Sequence, residues 1–433
     1  VCGGRENLLI ASWKNHLYRI GTVERQFDEA PAEPDEHRRE IEPWLSAVFQ
    51  SEHLSLLVGN GLTTAVAAAA GGTPTSMSRV EFSCELETEV NAWAEKSAVL
   101  AGRGEPNIED QLRSALQLMG GLEVLGDARL DEWRSAIRAR LASFAHMVLA
   151  TERSIADAIR SEAAQGIRAR SLLVSFLLSF ASRSASRERL HAFTTNYDRL
   201  IEHGCDLVGL RPLDRFVGAL APVFRASRLD VDMHYNPPGI RGEPRYLEGV
   251  IRLTKLHGSL DWAYESSSLR RTALPFAASD DHPALQLDPL ASLMIYPNSA
   301  KDLETVDYPY AELFRDFSAA LCRPNSTLVT YGYGFGDEHV NRVILDMLTI
   351  PSTHLVVMSY DDCGGRLETF LERASRSSQI SLLVGSHFAD LPVLVRHYLP
   401  KPAIDTLSTK RAELLRKRDV PTAPTPQPTS EAE

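Results

Sequence analysis

Short runs of consecutive apolar and β-branched residues recur along the chain, and most of them stop at Gly, Asn or Pro. Residues 54–58 run into GNGLT, LHAFTTN begins at Leu190, VIRLTKLHG at Val250, LMIYP at Leu293, STLVTYGYG at Ser326, THLVVMS at Thr353 and ISLLVGS at Ile380. Runs of this length and composition predict strands. Because they are continuously apolar rather than alternating, the sheet they form is expected to be covered on both faces. The helical segments EHVNRVILDML and GRLETFLERAS lie between the later runs and supply cover. Together these predict an α/β fold on a doubly wound parallel sheet, with residues 210–246, rich in Pro, Arg and Asp, as an irregular excursion over the active face.

A different periodicity interrupts that pattern. Leu130, Trp133, Ile137, Leu141, Phe144 and Val148 recur three and four residues apart, which places them on one helical face. Asn107, with Asp110 three residues on, has the spacing of a helix N-cap. Residues 85–189 therefore read as a large helical insertion into an α/β domain formed by residues 51–84 and 190–400. Residues 1–50, where Pro31, Pro34 and Pro43 bracket an acidic run, read as an adaptor leading to a short helix. Residues 401–433 read as a basic segment with Lys410, Arg411, Arg416, Lys417 and Arg418, either a solvated helix face or a docking peptide, followed by a disordered tail.

Composition narrows the class. Of 433 residues, 44% are hydrophobic and 24% charged, the balance of a protein with buried cores. The formal charge of −11 disfavours direct nucleic-acid binding, since the surface as a whole repels phosphate polymers. The most apolar stretch, residues 171–182, lies between Arg170 and Arg183 and is short of the roughly 20 residues a bilayer requires, so no membrane association is expected. Residues 1–20 lack the apolar run of an export signal. The five cysteines, Cys2, Cys84, Cys205, Cys322 and Cys363, have neither metal-ligand nor disulfide spacing, as expected of reduced thiols in the cytoplasm.

Ligands of open parallel sheets sit beyond the carboxyl ends of the strands. The residues found there are Gly59, Asn60, Gly61 and Thr63 after the first run, Thr195, Asn196 and Asp198 after the second, His257 after the third, and Gly332, Tyr333 and Gly334 after STLVTY. Each has a plain alternative. The glycines could serve only the backbone of a turn, Asp198 could cap the helix beginning near Leu200, and His257 could be a hydrogen-bonded loop residue. The third glycine of a standard dinucleotide fingerprint is missing, and so is the lysine-bearing phosphate loop of ATPases.

In this order, GNGLT, TTNYD, KLHGS and GYGFGDEH resemble the motifs of the sirtuin superfamily over residues 54–400, and most closely those of bacterial sirtuin-like proteins of antiphage defence. The resemblance implies a Rossmann-like sheet of the sirtuin type and NAD+ as substrate. It implies that Asn196 orients the ribose and the attacking water, that Asp198 holds the nicotinamide carboxamide and that His257 is the general base. Gly59, Asn60, Gly61 and Thr63 would then cradle the diphosphate of the cofactor, which Thr195 would also contact, while Gly332, Tyr333 and Gly334 would face its adenosine ribose and Ser359 and Ser386 its adenine. The paired Cys-x-x-Cys of zinc-bearing sirtuins is missing, so no zinc is expected, and GGTPTSMSR stands where those proteins cover the nicotinamide ribose. These departures favour an NAD+ glycohydrolase, forming a homo-oligomer or acting with a HerA-type ATPase or another phage-sensing partner. A protein deacylase or ADP-ribosyltransferase and a non-catalytic NAD-binding scaffold are the alternatives.

Overall fold

A computed structural model describes residues 16–31, 34–74, 78–100, 105–183, 187–226, 233–235, 245–265, 268–286, 288–289, 309–374 and 376–401. The LMIYP run and the basic segment and tail from residue 402 onward lie outside them.

The strands are β1 (His16–Ile20), β2 (Val23–Phe27), β3 (His53–Val58), β4 (His191–Thr194), β5 (Arg211–Leu213), β6 (Phe216–Val217), β7 (Val223–Phe224), β8 (His234–Tyr235), β9 (Arg245–Tyr246), β10 (Val250–Lys255), β11 (Trp262–Glu265), β12 (Ser268–Arg271), β13 (Ser326–Tyr331), β14 (His354–Ser359) and β15 (Ile380–Val384). Among the described residues, nine of them form one sheet in the order β2-β1-β15-β14-β13-β3-β4-β10-β5. From β15 to β5 every neighbouring pair is parallel, while β1 and β2 run antiparallel at one edge. The chain leaves β3 towards β4 and later returns through β13 on its other side, so the strand order reverses between β3 and β13. That reversal creates the crevice in which a doubly wound sheet takes its ligand.

Successive residues of the central strands point to opposite faces and feed two cores. Leu56, Val58, Val329 and Tyr331 pack on one face with α1 (Pro34–Val48), α2 (Asn60–Ala69) and other helices. Leu57, Leu328, Val357 and Leu382 pack on the other with Phe317, Ile344 and Phe370 of the helices Tyr310–Leu321, Glu338–Met347 and Arg366–Arg373. Burial of each such side chain contributes about 1.5–3 kcal/mol, which explains why the runs are apolar throughout.

The helical block comprises α3 (Glu87–Leu100), α4 (Ile108–Leu125), α5 (Leu130–Arg160) and α6 (Ala164–Ala181). Asn107 and Asp110 form the reciprocal capping box at the start of α4. Trp133, Ile137, Leu141, Phe144 and Val148 of α5 join Ile108 and Leu112 in a third core. The block is not a free-standing insert. Leu173, Phe176, Leu177 and Phe180 of α6 belong to the first core of the sheet, so its last helix is a covering layer of the α/β domain.

Two other segments differ from expectation. Within residues 1–50, expected as an adaptor leading to a short helix, that helix is α1, but the described residues before it supply the strands β1 and β2, and Tyr18 Oη donates to Glu40 Oε2 at 2.6 Å to join β1 to α1. Pro34 is compatible with the helix because it occupies the first helical position, where its missing N–H has no intrahelical acceptor. Within residues 210–246, β5 extends the main sheet by pairing with β10, and β6 and β7 join β11 and β12 in a small sheet. None of the described residues of this excursion lines the cavity described below.

Candidate active site

Strand register brings the predicted residues together. Val58 pairs with Thr194 and with Tyr331, and Thr194 pairs with Lys255, so four adjacent strands end in one row. Beyond that row lies a cavity of about 390 Å³, lined by Gly59, Asn60, Thr195, Asn196, Asp198, His257, Gly332, Tyr333 and Gly334 among others.

Two glycine turns meet at its base. A Cβ on Gly59 would lie 2.4 Å from Gly332 O, and one on Gly332, whose φ is +59°, would lie 2.6 Å from Gly61 Cα. Only glycine permits this approach. The contact also uses backbone donors, because Gly59 N donates to Tyr331 O at 3.1 Å and Gly61 N to Gly332 O at 3.0 Å. Gly61 and Thr63 stand behind the cavity rather than in its lining.

Thr63 links the two polar residues of TTNYD. Its hydroxyl donates to Asp198 Oδ2 at 2.7 Å and accepts from Asn196 Nδ2 at 3.1 Å. Asn196 Nδ2 also donates to Gly59 O at 3.1 Å, which orients the amide and leaves Oδ1 as its acceptor for a ligand. Asp198 fills both roles open to it in the sequence. Oδ1 accepts from Leu200 N at 3.0 Å at the entry to α7 (Leu200–Val208), and the side chain lines the cavity. The next residue, Arg199, is buried and paired with Glu152 of α5, whose Oε1 also accepts from Arg199 N at 2.9 Å. The helical block thus holds the loop that carries Asn196 and Asp198.

His257 Nε2 lies 2.6 Å from Asp337 Oδ2. Asp337 Oδ1 accepts from His339 N at 3.0 Å and Val340 N at 3.4 Å, capping the helix Glu338–Met347. With the Asp337 carboxylate accepting from Nε2–H, the ring is oriented and Nδ1 becomes its acceptor nitrogen. Tyr197 lies beside His257 and donates to Glu109 Oε1 at 3.1 Å, and burial, followed by the Glu109 charge, pushes its phenol well above its ordinary range.

Ser359 and Ser386 lie outside this constellation. Ser359 Oγ donates to Asp361 O at 2.8 Å, and Ser386 opens a short helix after β15. Conversely, Glu105, Asn107 and Glu109 at the start of α4, Asp337, and Arg366 at the start of the helix Arg366–Arg373 line the cavity without having been expected as site residues, Asn107 having been read only as a helix cap. Asp337 follows directly on GYGFG and was the most accessible of these, whereas nothing local to Glu109 or Arg366 connects either to His257.

Residues 190–383 match the family model of the SIR2-like domain. The matched range begins at β4, yet β3 and its glycine turn, which precede it, occupy the middle of the same sheet. The match supports the likeness to the sirtuin superfamily and points to NAD-related chemistry. Comparison with curated proteins finds no match.

Proposed function

We propose that this chain is an NAD+ glycohydrolase that converts NAD+ and water to nicotinamide, ADP-ribose and a proton. The observation that carries the reading is the convergence of Asn196, Asp198 and His257 on one cavity at the strand-order reversal. In the reaction the bond between ribose C1′ and the pyridinium nitrogen breaks, the electron pair leaves with nicotinamide, and positive charge develops on the ribose. Asn196 Oδ1 accepts from a ribose hydroxyl or the incoming water, and the Asp198 carboxylate accepts from the carboxamide N–H. His257 Nδ1 takes the proton as water adds to C1′, and Asp337 steadies the resulting imidazolium.

The lining also suits the ligand's charge. Glu109, Asp198 and Asp337 favour a cationic pyridinium and an oxocarbenium-like transition state. The experiment is incubation of the purified chain with NAD+, alone and with its genetic neighbours, followed by separation of nicotinamide and ADP-ribose. Equal release of both is expected. Release of nicotinamide only when a protein acceptor is present would replace hydrolysis by transfer, and no release under any condition would reject the reading.

The proposal extends to a setting, NAD+ depletion in the cytoplasm during phage infection by a homo-oligomer or together with a HerA-type ATPase or another phage-sensing partner. Support for this part is the likeness of GYGFGDEH to the defence branch. Cells expressing the wild-type chain should survive phage challenge as a population, and cells expressing Asn196→Ala should not.

A further inference from the structure

We infer that Arg366 recognises a phosphoryl group of the dinucleotide, a task for which the glycine turn after β3 keeps few amides; the inference rests on the NAD-cleaving reading. At that turn Gly59 N, Gly61 N and Leu62 N donate to Tyr331 O, Gly332 O and Gly59 O at 3.1, 3.0 and 3.2 Å. With these three amides directed at protein carbonyls, the start of α2 has fewer N–H groups to offer a phosphate than an ordinary helix end.

The cavity supplies one alternative. Arg366 is the single Lys or Arg among the described lining residues, in a chain of formal charge −11 whose cavity also presents Glu105, Glu109, Asp198 and Asp337. Its Nε donates to Gly334 O at 2.7 Å. That bond fixes the plane of the guanidinium and leaves its two terminal nitrogens for a ligand, and among the described residues no carboxylate pairs with it. A planar fork held at its Nε is suited to bidentate contact with phosphate oxygens, and a lysine there would supply only a point charge. Arg366 and the carboxylates give the cavity groups of both signs, as a ligand with a cationic ring and a phosphorylated remainder requires.

A bridging diphosphate and a ribose 2′-phosphate offer Arg366 the same oxygens, and ligand choice separates them. Affinities of the full chain for ADP-ribose, its 2′-phosphate, adenosine and nicotinamide riboside would be measured by calorimetry for wild type, Arg366→Ala and Arg366→Lys. Loss of a charge-assisted contact predicts binding weaker by about 10-fold or more in Arg366→Ala, with partial recovery in Arg366→Lys. The loss should be confined to phosphorylated ligands, with both nucleosides unchanged. Weakening of ADP-ribose itself identifies the diphosphate, and weakening of the 2′-phosphate form alone identifies that group. Equal weakening of nucleosides and ADP-ribose would show a collapsed turn and overturn the inference, as would unchanged affinity throughout. Wild-type binding of ADP-ribose without cleavage of NAD+ would reject the hydrolase and leave Arg366 standing. Continued cleavage with undiminished ADP-ribose affinity in Arg366→Ala would reject Arg366 alone.

Discussion

His257 and Asp337 stand 80 residues apart in the chain and meet at 2.6 Å. Because Asp337 also caps a helix, its two functions can be separated by substitution. Asn is as good a cap as Asp but carries no charge. Asp337→Asn should therefore keep its thermal midpoint within a few degrees and lose about 10-fold or more in the turnover of NAD+, while His257→Ala loses about 10²–10⁴-fold. Steady-state assays beside melting curves would check this, and equal losses of stability and turnover in Asp337→Asn would assign it to the helix alone.

Asn196 is oriented by Gly59 O and Thr63 rather than by solvent. Asn196→Ala should reduce nicotinamide release by about 100-fold, the scale of a misplaced reacting group. Thr63→Val, which removes the hydroxyl that joins Asn196 to Asp198, should reduce it less and raise KM as well. If Thr63→Val matches wild type in both constants, the linkage is irrelevant to turnover.

The meeting of the two glycine turns leaves no room for a methyl group. Gly332→Ala should destabilise the protein by more than the roughly 1–2 kcal/mol of a left-handed residue, because its Cβ would also displace the Gly61 backbone. Gly209, with φ +72° and open space around it, provides the comparison: Gly209→Ala should cost about 1 kcal/mol and leave turnover intact. Denaturant titration of both variants measures the difference.

Breaking the buried pair between Glu152 and Arg199 leaves an uncompensated charge, so Arg199→Met should destabilise by about 3–5 kcal/mol. The double replacement Glu152→Leu with Arg199→Met should recover only part of that loss, because Arg199 N and Ala277 N, which donate to Glu152, then lack an acceptor. Urea midpoints of the three variants test it, and additive losses would show that the two residues act separately.

Acid should weaken the fold before it protonates most carboxylates. Burial, reinforced by the nearby His37, His16 and His397, lowers His387 to about 4, and burial also lowers His191, His203 and His354. An unfolded chain binds these protons at its ordinary imidazole pKa, so between about pH 6.5 and 4 it holds more protons than the folded one. Stability is then fully present above that window and falls as pH drops through it. Thermal midpoints measured from pH 7 to 4 should decline, with a shallower decline in His387→Gln.

The central sheet was legible because burial on both faces forces continuous apolar runs, as in β3, β13, β14 and β15. Glycine, Asn and His at their ends made the site legible too, because strand ends are where a doubly wound sheet exposes functional groups. β1 was hidden for a physical reason: HLYRI is wholly buried, but its His16 and Arg19 give it a polar appearance. β5 was hidden by brevity and by Pro212. The use of the turn amides by Tyr331 O and Gly332 O, the partner of His257 and the place of Arg366 all depend on contacts between distant segments. No local periodicity encodes such contacts.

The ends of the nine-stranded sheet bear on self-association. One is β2, whose exposed Glu24 and Arg25 make strand addition there costly, and the other is β5, three residues long with a proline that cannot donate to a further ladder. Both edges are thus blunted against aggregation by sheet extension. Any contact between copies is therefore expected through side-chain surfaces rather than by continuing the sheet of the described residues from one molecule into the next.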